Sequence, residues 1–153
     1  MRMSEFVVRD AIIPSLSATT KEAVIRRMVE SLRDAGQFRD TDLEDVIRAI
    51  LKRELLGSTG IGRGVAIPHT KHSSVDRLIG TLAISPNGVA FDSLDGEPVY
   101  IFVLLISPQD RPGEHLRALE NISRCLRDDA FVRALRNANS REAISELLDQ
   151  LDS

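Results

Sequence analysis

Histidine is scarce in this chain, and the three that occur, His69, His72 and His115, are where nucleophilic or metal chemistry has to start. His69 follows a run with glycines at 57, 60, 62 and 64 and a short Val65-Ala66-Ile67 segment. Pro68 fixes its own φ and biases Ile67 toward an extended conformation, so the imidazole is presented from a stiff strand end. An unperturbed imidazole has a pKa of about 6.5, so near neutral pH it is mostly uncharged and able to take a phosphoryl group on a ring nitrogen. On these residues alone an ordinary loop histidine competes with that reading, because histidine is also common on surfaces.

The glycine run fails the two standard phosphate motifs. Gly57 and Gly62 have P-loop spacing, but Arg63 and Gly64 stand where Lys and Ser or Thr must reach phosphate and Mg²⁺. The dinucleotide fingerprint fails because Gly64 comes one residue early after Gly60 and Gly62 and no strand precedes them. Two readings stay open, a loop whose backbone N–H groups approach an anion and a tight irregular turn. A different class is a transition-metal site from His69, His72, His115 and Cys125, since imidazole and thiolate are common zinc ligands. His69-x-x-His72 lies outside a helix and lacks the Glu of a zinc-protease motif, so no hydrolysis follows, and His72 reads as an exposed loop residue.

Several elements must position these groups. Residues 6–13 read as a short edge strand or a docked arm before Pro14. Thr19-x-x-Glu22 and Thr41-x-x-Glu44 have capping-box spacing and predict two helices. The first carries Val24, Ile25, Met28, Val29, Leu32 and Ala35 on one face and stops at Gly36. The second carries Leu43, Val46, Ile47, Ile50, Leu51 and Leu55 and ends near Gly57. Leu78 to Ser85 and Val99 to Ile106 read as buried strands, with turns at Pro86-Asn87-Gly88 and Asp95-Gly96 and a further strand at Val89-Ala90-Phe91. Beyond Glu114, Leu116, Leu119, Ile122 and Leu126 restore a helical period. Asp128 or Asp129 and Ser140 can cap two more helices. No linker or repeat divides residues 1–153, so one α/β domain with a mixed central sheet flanked by helices is expected.

Composition excludes several function classes. The 153 residues are enough to complete a core without disulfide or metal, and the lone Cys125 makes no internal disulfide, which points to a reducing compartment. Lys and Arg total 20 against 23 Asp and Glu, a net charge of −3 that disfavours general nucleic-acid binding. The N-terminus lacks a signal-like apolar segment, and the longest apolar run, Val99 to Ile106, is far short of the roughly 20 residues of a membrane span, so a cytoplasmic protein without membrane insertion is expected.

The run Glu54-Leu-Leu-Gly-Ser-Thr-Gly-Ile-Gly-Arg-Gly-Val-Ala-Ile-Pro-His69 resembles the active-site signature of type 2 EIIA domains of the bacterial phosphoenolpyruvate-dependent phosphotransferase system, the fructose, mannitol and nitrogen-regulatory group. The segment Val99 to Pro108 followed by Glu114-His115-Leu116 resembles that family's strand and second-histidine helix, and the likeness covers nearly the whole chain. The resemblance implies the mannitol-type EIIA fold and a phosphohistidine at His69, charged from the phosphocarrier HPr or its nitrogen-branch equivalent. It implies a fixed charge from Arg53, ahead of the glycine loop, and a hydrogen bond from His115, beside His69, either to the phosphate or to orient His69. It implies no cofactor, and an EIIB domain or a regulatory target as the next partner. The sequence carries no EIIB, EIIC or HPr segment, which suits a nitrogen-type regulator as well as a sugar-system subunit. Two positions depart from the pattern: Arg63 stands where Asn is typical and Thr70 where Gly or Ala is usual. A β-branched residue resists positive φ, so Thr70 predicts either a different loop after His69 or a hydroxyl for phosphate, and Arg63 could add charge.

Overall fold

The computed structural model describes residues 2–151. Its central strand, β5 (Val99–Ser107), is a nearly continuous apolar run, as a strand covered on both faces requires. Ile101, Val103 and Leu105 enter one core, whereas Phe102, Leu104 and Ile106 enter the other. Helices α2 (Lys21–Asp34) and α3 (Leu43–Leu55) cover the second of these faces, and the one-turn α1 (Met3–Phe6), α4 (Pro112–Cys125), α5 (Asp129–Asn137) and α6 (Arg141–Gln150) cover the first. The predicted mixed α/β architecture is thus present as helix layers on both sides of a mixed sheet.

Strand β4 (Ile79–Val89) pairs antiparallel with one edge of β5. Along the other edge run β2 (Val65–Ala66) and then β3 (His69–Lys71), both parallel to β5, and β1 (Gly60–Gly62) folds back on β2. The course from β2 to β3 breaks at Ile67-Pro68, where proline has no N–H for a ladder. The Ile67 N–H turns away to the Thr59 carbonyl at 3.0 Å, tying the glycine run to the strand just before His69.

The N-terminal segment is the docked arm of the two expected forms. Val7 bridges Gly80 and Ile13 bridges Ala83, so the arm covers the open edge of β4. Both expected capping boxes are displaced. The α2 cap is Thr20, whose Oγ1 accepts the Ala23 N–H at 3.1 Å. A 3₁₀ turn, Asp40–Asp42, leads into α3, and Glu44 binds Arg26 of α2 at 2.7 and 3.0 Å instead of reaching back to a cap. Asp128 and Ser140 cap α5 and α6 as expected. The turn expected at Pro86-Asn87-Gly88 lies inside β4, in a bulge where the register shifts between Ile84 and Val89. Pro86 is tolerated there because that stretch owes no ladder N–H, and Val89 ends β4 and starts no separate strand. Among the described residues no helix is long and apolar enough to cross a membrane.

Candidate functional site

His69 opens β3, half-buried, with its Nδ1 2.8 Å from the Ile67 carbonyl oxygen. A carbonyl only accepts, so Nδ1 carries the proton and Nε2 keeps the lone pair. Burial pushes the His69 pKa below its ordinary value; the Ile67 hydrogen bond opposes this, while the charges of Arg53 and Lys71 act with it. The ring is therefore neutral and oriented at neutral pH, with its lone pair on Nε2.

His115 comes from the first turns of α4 and is 5% exposed. Its ring centre lies 5.4 Å from that of His69, at an interplanar angle of 58°. Burial, then the positive charges of His69 and Lys71, lower its pKa to about 4. The sequence offered no apolar stripe containing a histidine, yet His115 sits on one: with Ala118 and Ile122 it forms the buried face of α4, while Leu116 is 60% exposed.

Arg53, in the last turn of α3, donates from Nη1 to the Gly57 carbonyl at 2.9 Å. Its guanidinium thus sits at the start of the glycine run, where His69 senses its charge. The three residues singled out from the sequence, His69, His115 and Arg53, converge on one region.

Glu54 was not singled out, and it holds the loop in place. Its side chain is 3% exposed, takes Lys21 Nζ of α2 at 2.9 Å, and accepts from both the N–H and the hydroxyl of Thr59. Its signal was positional: Leu43, Ile47 and Ile50 lead at helical spacing to 54, so the carboxylate falls on the buried stripe. Leu55, expected on that stripe, is 87% exposed. Gly60 lets the loop lie against the next segment, because a Cβ there would meet the Ser93 Cα at 2.9 Å. Lys71, two residues after His69 and on the same strand face, and Ser107, hydrogen-bonded to His115, were also missed.

The two departures have structural explanations. Thr70 is extended within β3 opposite Ile106, so no positive φ is needed, and alternation turns it to the face away from His69. Its hydroxyl donates to the Lys71 carbonyl at 3.3 Å. Arg63 has a φ of 60° between Gly62 and Gly64, in the β1–β2 turn, a conformation Asn adopts more readily. Its backbone N–H donates to Asp95, and its guanidinium pairs with Asp129 at the α4–α5 corner. His72, expected as an exposed loop residue, is 7% exposed. Its Nδ1 accepts the Ser74 N–H at 3.0 Å, leaving Nε2 to donate to Asp45 of α3 at 2.5 Å, on the strand face opposite His69. Among the described residues no group of three or more His, Cys, Asp or Glu side chains is placed to hold a metal ion.

The family described as phosphoenolpyruvate-dependent sugar phosphotransferase system, EIIA 2, matches residues 5–151. The nitrogen regulatory protein of Bradyrhizobium diazoefficiens is 32% identical over 148 residues, covering 97% of this chain and 95% of that protein. The fructose-specific EIIABC component of Bacillus subtilis is 34% identical over 152 residues; the match covers 99% of this chain but 24% of that protein. The crystal structure of nitrogen regulatory protein IIA-Ntr from Neisseria meningitidis superposes with a TM-score of 0.86 at 28% identity, over 95% of this chain and 98% of that one.

Proposed function

Because the chain belongs to the EIIA 2 family of the phosphoenolpyruvate-dependent sugar phosphotransferase system, we propose that it is a cytoplasmic phosphocarrier that accepts a phosphoryl group on His69 Nε2 from HPr or its nitrogen-branch equivalent. The observation that carries this reading is the 2.8 Å contact of Nδ1 with the Ile67 carbonyl, which leaves Nε2 as the nucleophilic nitrogen. The Nε2 lone pair attacks phosphorus, the P–N bond to the donor imidazole breaks, and that bond's electrons return to the donor ring. The phosphoryl group stays anionic throughout, so the acceptor has to supply position and positive charge more than proton transfer. Arg53 supplies a fixed guanidinium, Lys71 an ammonium on the same strand face, and His115 a neutral ring beside the acceptor. A neutral His69 matters as well, since a protonated ring has no free lone pair.

The phosphoryl group then passes to an EIIB partner in sugar uptake, in keeping with a fructose-specific relative whose name joins EIIA, EIIB and EIIC. A regulatory output is favoured by a different observation, the match to a nitrogen regulatory protein over nearly the full length of both chains. In that case the charge of about −1.5 to −2 added at His69 switches a partner surface. The test is incubation with phosphoenolpyruvate, enzyme I and either carrier, followed by intact-mass measurement. One phosphoryl group is expected on the wild type and none on His69→Ala; an unmodified wild type with both carriers would overturn the proposal. Adding an EIIB then separates the outputs, because loss of the label to EIIB marks the transport branch.

A further inference from the structure

Strand β5 ends at Ser107, whose side chain is fully buried, and its Oγ lies 2.5 Å from Nδ1 of His115. The β3–β5 register pairs Ser107 with Lys71 two residues after His69 pairs with Leu105, so this hydroxyl stands on the His69 face of the sheet. Among the described residues, the Ser107 hydroxyl has this imidazole as its one hydrogen-bond partner. A buried O–H needs an acceptor, because leaving it unpaired forfeits its hydration with nothing in return. The proton therefore points at Nδ1, and a neutral imidazole that accepts at Nδ1 carries its own proton at Nε2.

We propose that Ser107 is a positioning residue of the transfer site: by donating to His115 Nδ1 it holds that ring as the Nε2–H tautomer, so that His115 offers an N–H, not a lone pair, to the phosphoryl oxygens on His69. The alternative tautomer would set a lone pair against an anion, a repulsion where an attraction is required. The role assigned to His115 rests on His69 being the phosphoryl acceptor, whereas the tautomer is a property of the unphosphorylated protein.

Long-range proton–nitrogen correlation spectra of the ¹⁵N-labelled wild-type imidazoles test the tautomer directly. Nε2 of His115 should appear pyrrole-like and Nδ1 pyridine-like at neutral pH. Ser107→Ala should remove that preference, and Ser107→Thr, which keeps a hydroxyl, should retain it. In the phosphorylation assay Ser107→Ala should slow transfer to His69 about tenfold, the worth of one hydrogen bond to a charged group. The same change made on a His115→Ala background should have no further effect. A proton on Nδ1 of wild-type His115, an unaltered spectrum in Ser107→Ala, or an equal slowing without His115 would each overturn the proposal. If the wild type takes no phosphoryl group, the transfer reading falls together with His115's part in it, while the spectra still decide the serine lock. Should Ser107→Ala fail to fold, the wild-type spectrum alone decides the same point.

Discussion

His69 and His115 lie close together, His115 buried and His69 half-buried, and each of them costs the folded state something to protonate. For His115 the sign can be worked out. Its folded pKa of about 4 lies below the unfolded value of about 6.5, so above pH 6.5 both states are neutral and stability is complete. As pH falls between those values the unfolded chain binds a proton that the folded chain refuses, and stability is lost. Integrated from pH 7.5 to pH 5, that ring accounts for about 2 kcal/mol, and His69, shifted in the same direction, adds to the loss. Urea unfolding at the two pH values should therefore show a drop that is about 2 kcal/mol smaller in His115→Gln. An equal drop in both proteins would mean that the ring is not the proton-refusing group. Glu54 poses the opposite problem, a carboxylate buried for the sake of what it binds. Glu54→Ala takes from Thr59 its acceptor and from Lys21 the nearer of two carboxylates, Asp92 lying at 3.6 Å, and should cost roughly 3 kcal/mol, whereas Glu54→Gln keeps an acceptor and should cost about half as much. Thermal melts of the two variants check the order.

At the scale of elements, the glycine run is a connector held at both ends. Glu54 anchors Thr59, Thr59 accepts the Ile67 N–H, and the Gly62-Arg63-Gly64 turn is strapped to Asp95 and Asp129. Arg63 thus spends its charge on the α4–α5 corner, and its positive φ is better suited to Asn. Arg63→Asn exchanges an exposed ion pair worth at most about 1 kcal/mol for relief of backbone strain of similar size. Its melting temperature and its phosphotransfer rate should both stay near the wild-type values; a tenfold slower transfer would give the guanidinium a part in the chemistry. The apolar strand β5, the period of α2 and the Asp128 and Ser140 caps were legible in the sequence because burial on a sheet or helix face leaves a clean pattern. The histidine after Ile67-Pro68 was legible too, through a motif. What periodicity misassigned lies next to the candidate site, where polar side chains are buried on the helix stripes. On α3 the stripe was drawn through Leu55 and on α4 through Leu116, while Glu54 and His115 are the residues that face inward. A polar side chain buried on a helix stripe looks, to hydropathy alone, like a surface residue. The bulge in β4 was hidden for another reason: Pro86-Asn87-Gly88 has turn chemistry whether the chain reverses or only kinks.

For the whole molecule the displaced leucines bear on how a partner docks. Leu55, Leu56 and Leu116 are 87%, 83% and 60% exposed, and they adjoin Arg53, Glu54 and His115 in the chain. Ile61 of the glycine run and Leu94, whose N–H binds the Gly60 carbonyl, are exposed as well. On the phosphocarrier reading proposed above, large apolar side chains shown to water beside the candidate site residues in the chain fit a protein donor better than a small one, which would gain little from them. The chain's net charge of −3 is small, so the proposed contact draws on these apolar side chains and a few local cations. Replacing Leu55 and Leu56 together by serine removes no core contact and should leave the melting temperature unchanged. Direct phosphorylation of His69 by a small donor such as phosphoramidate should also proceed at the wild-type rate. Transfer from the protein carrier should instead weaken about tenfold in kcat/KM, with the change in KM, because only binding common to ground and transition state is lost. A loss in kcat for both donors would place these leucines in the chemistry, and no loss for either would move the docking surface elsewhere on the molecule.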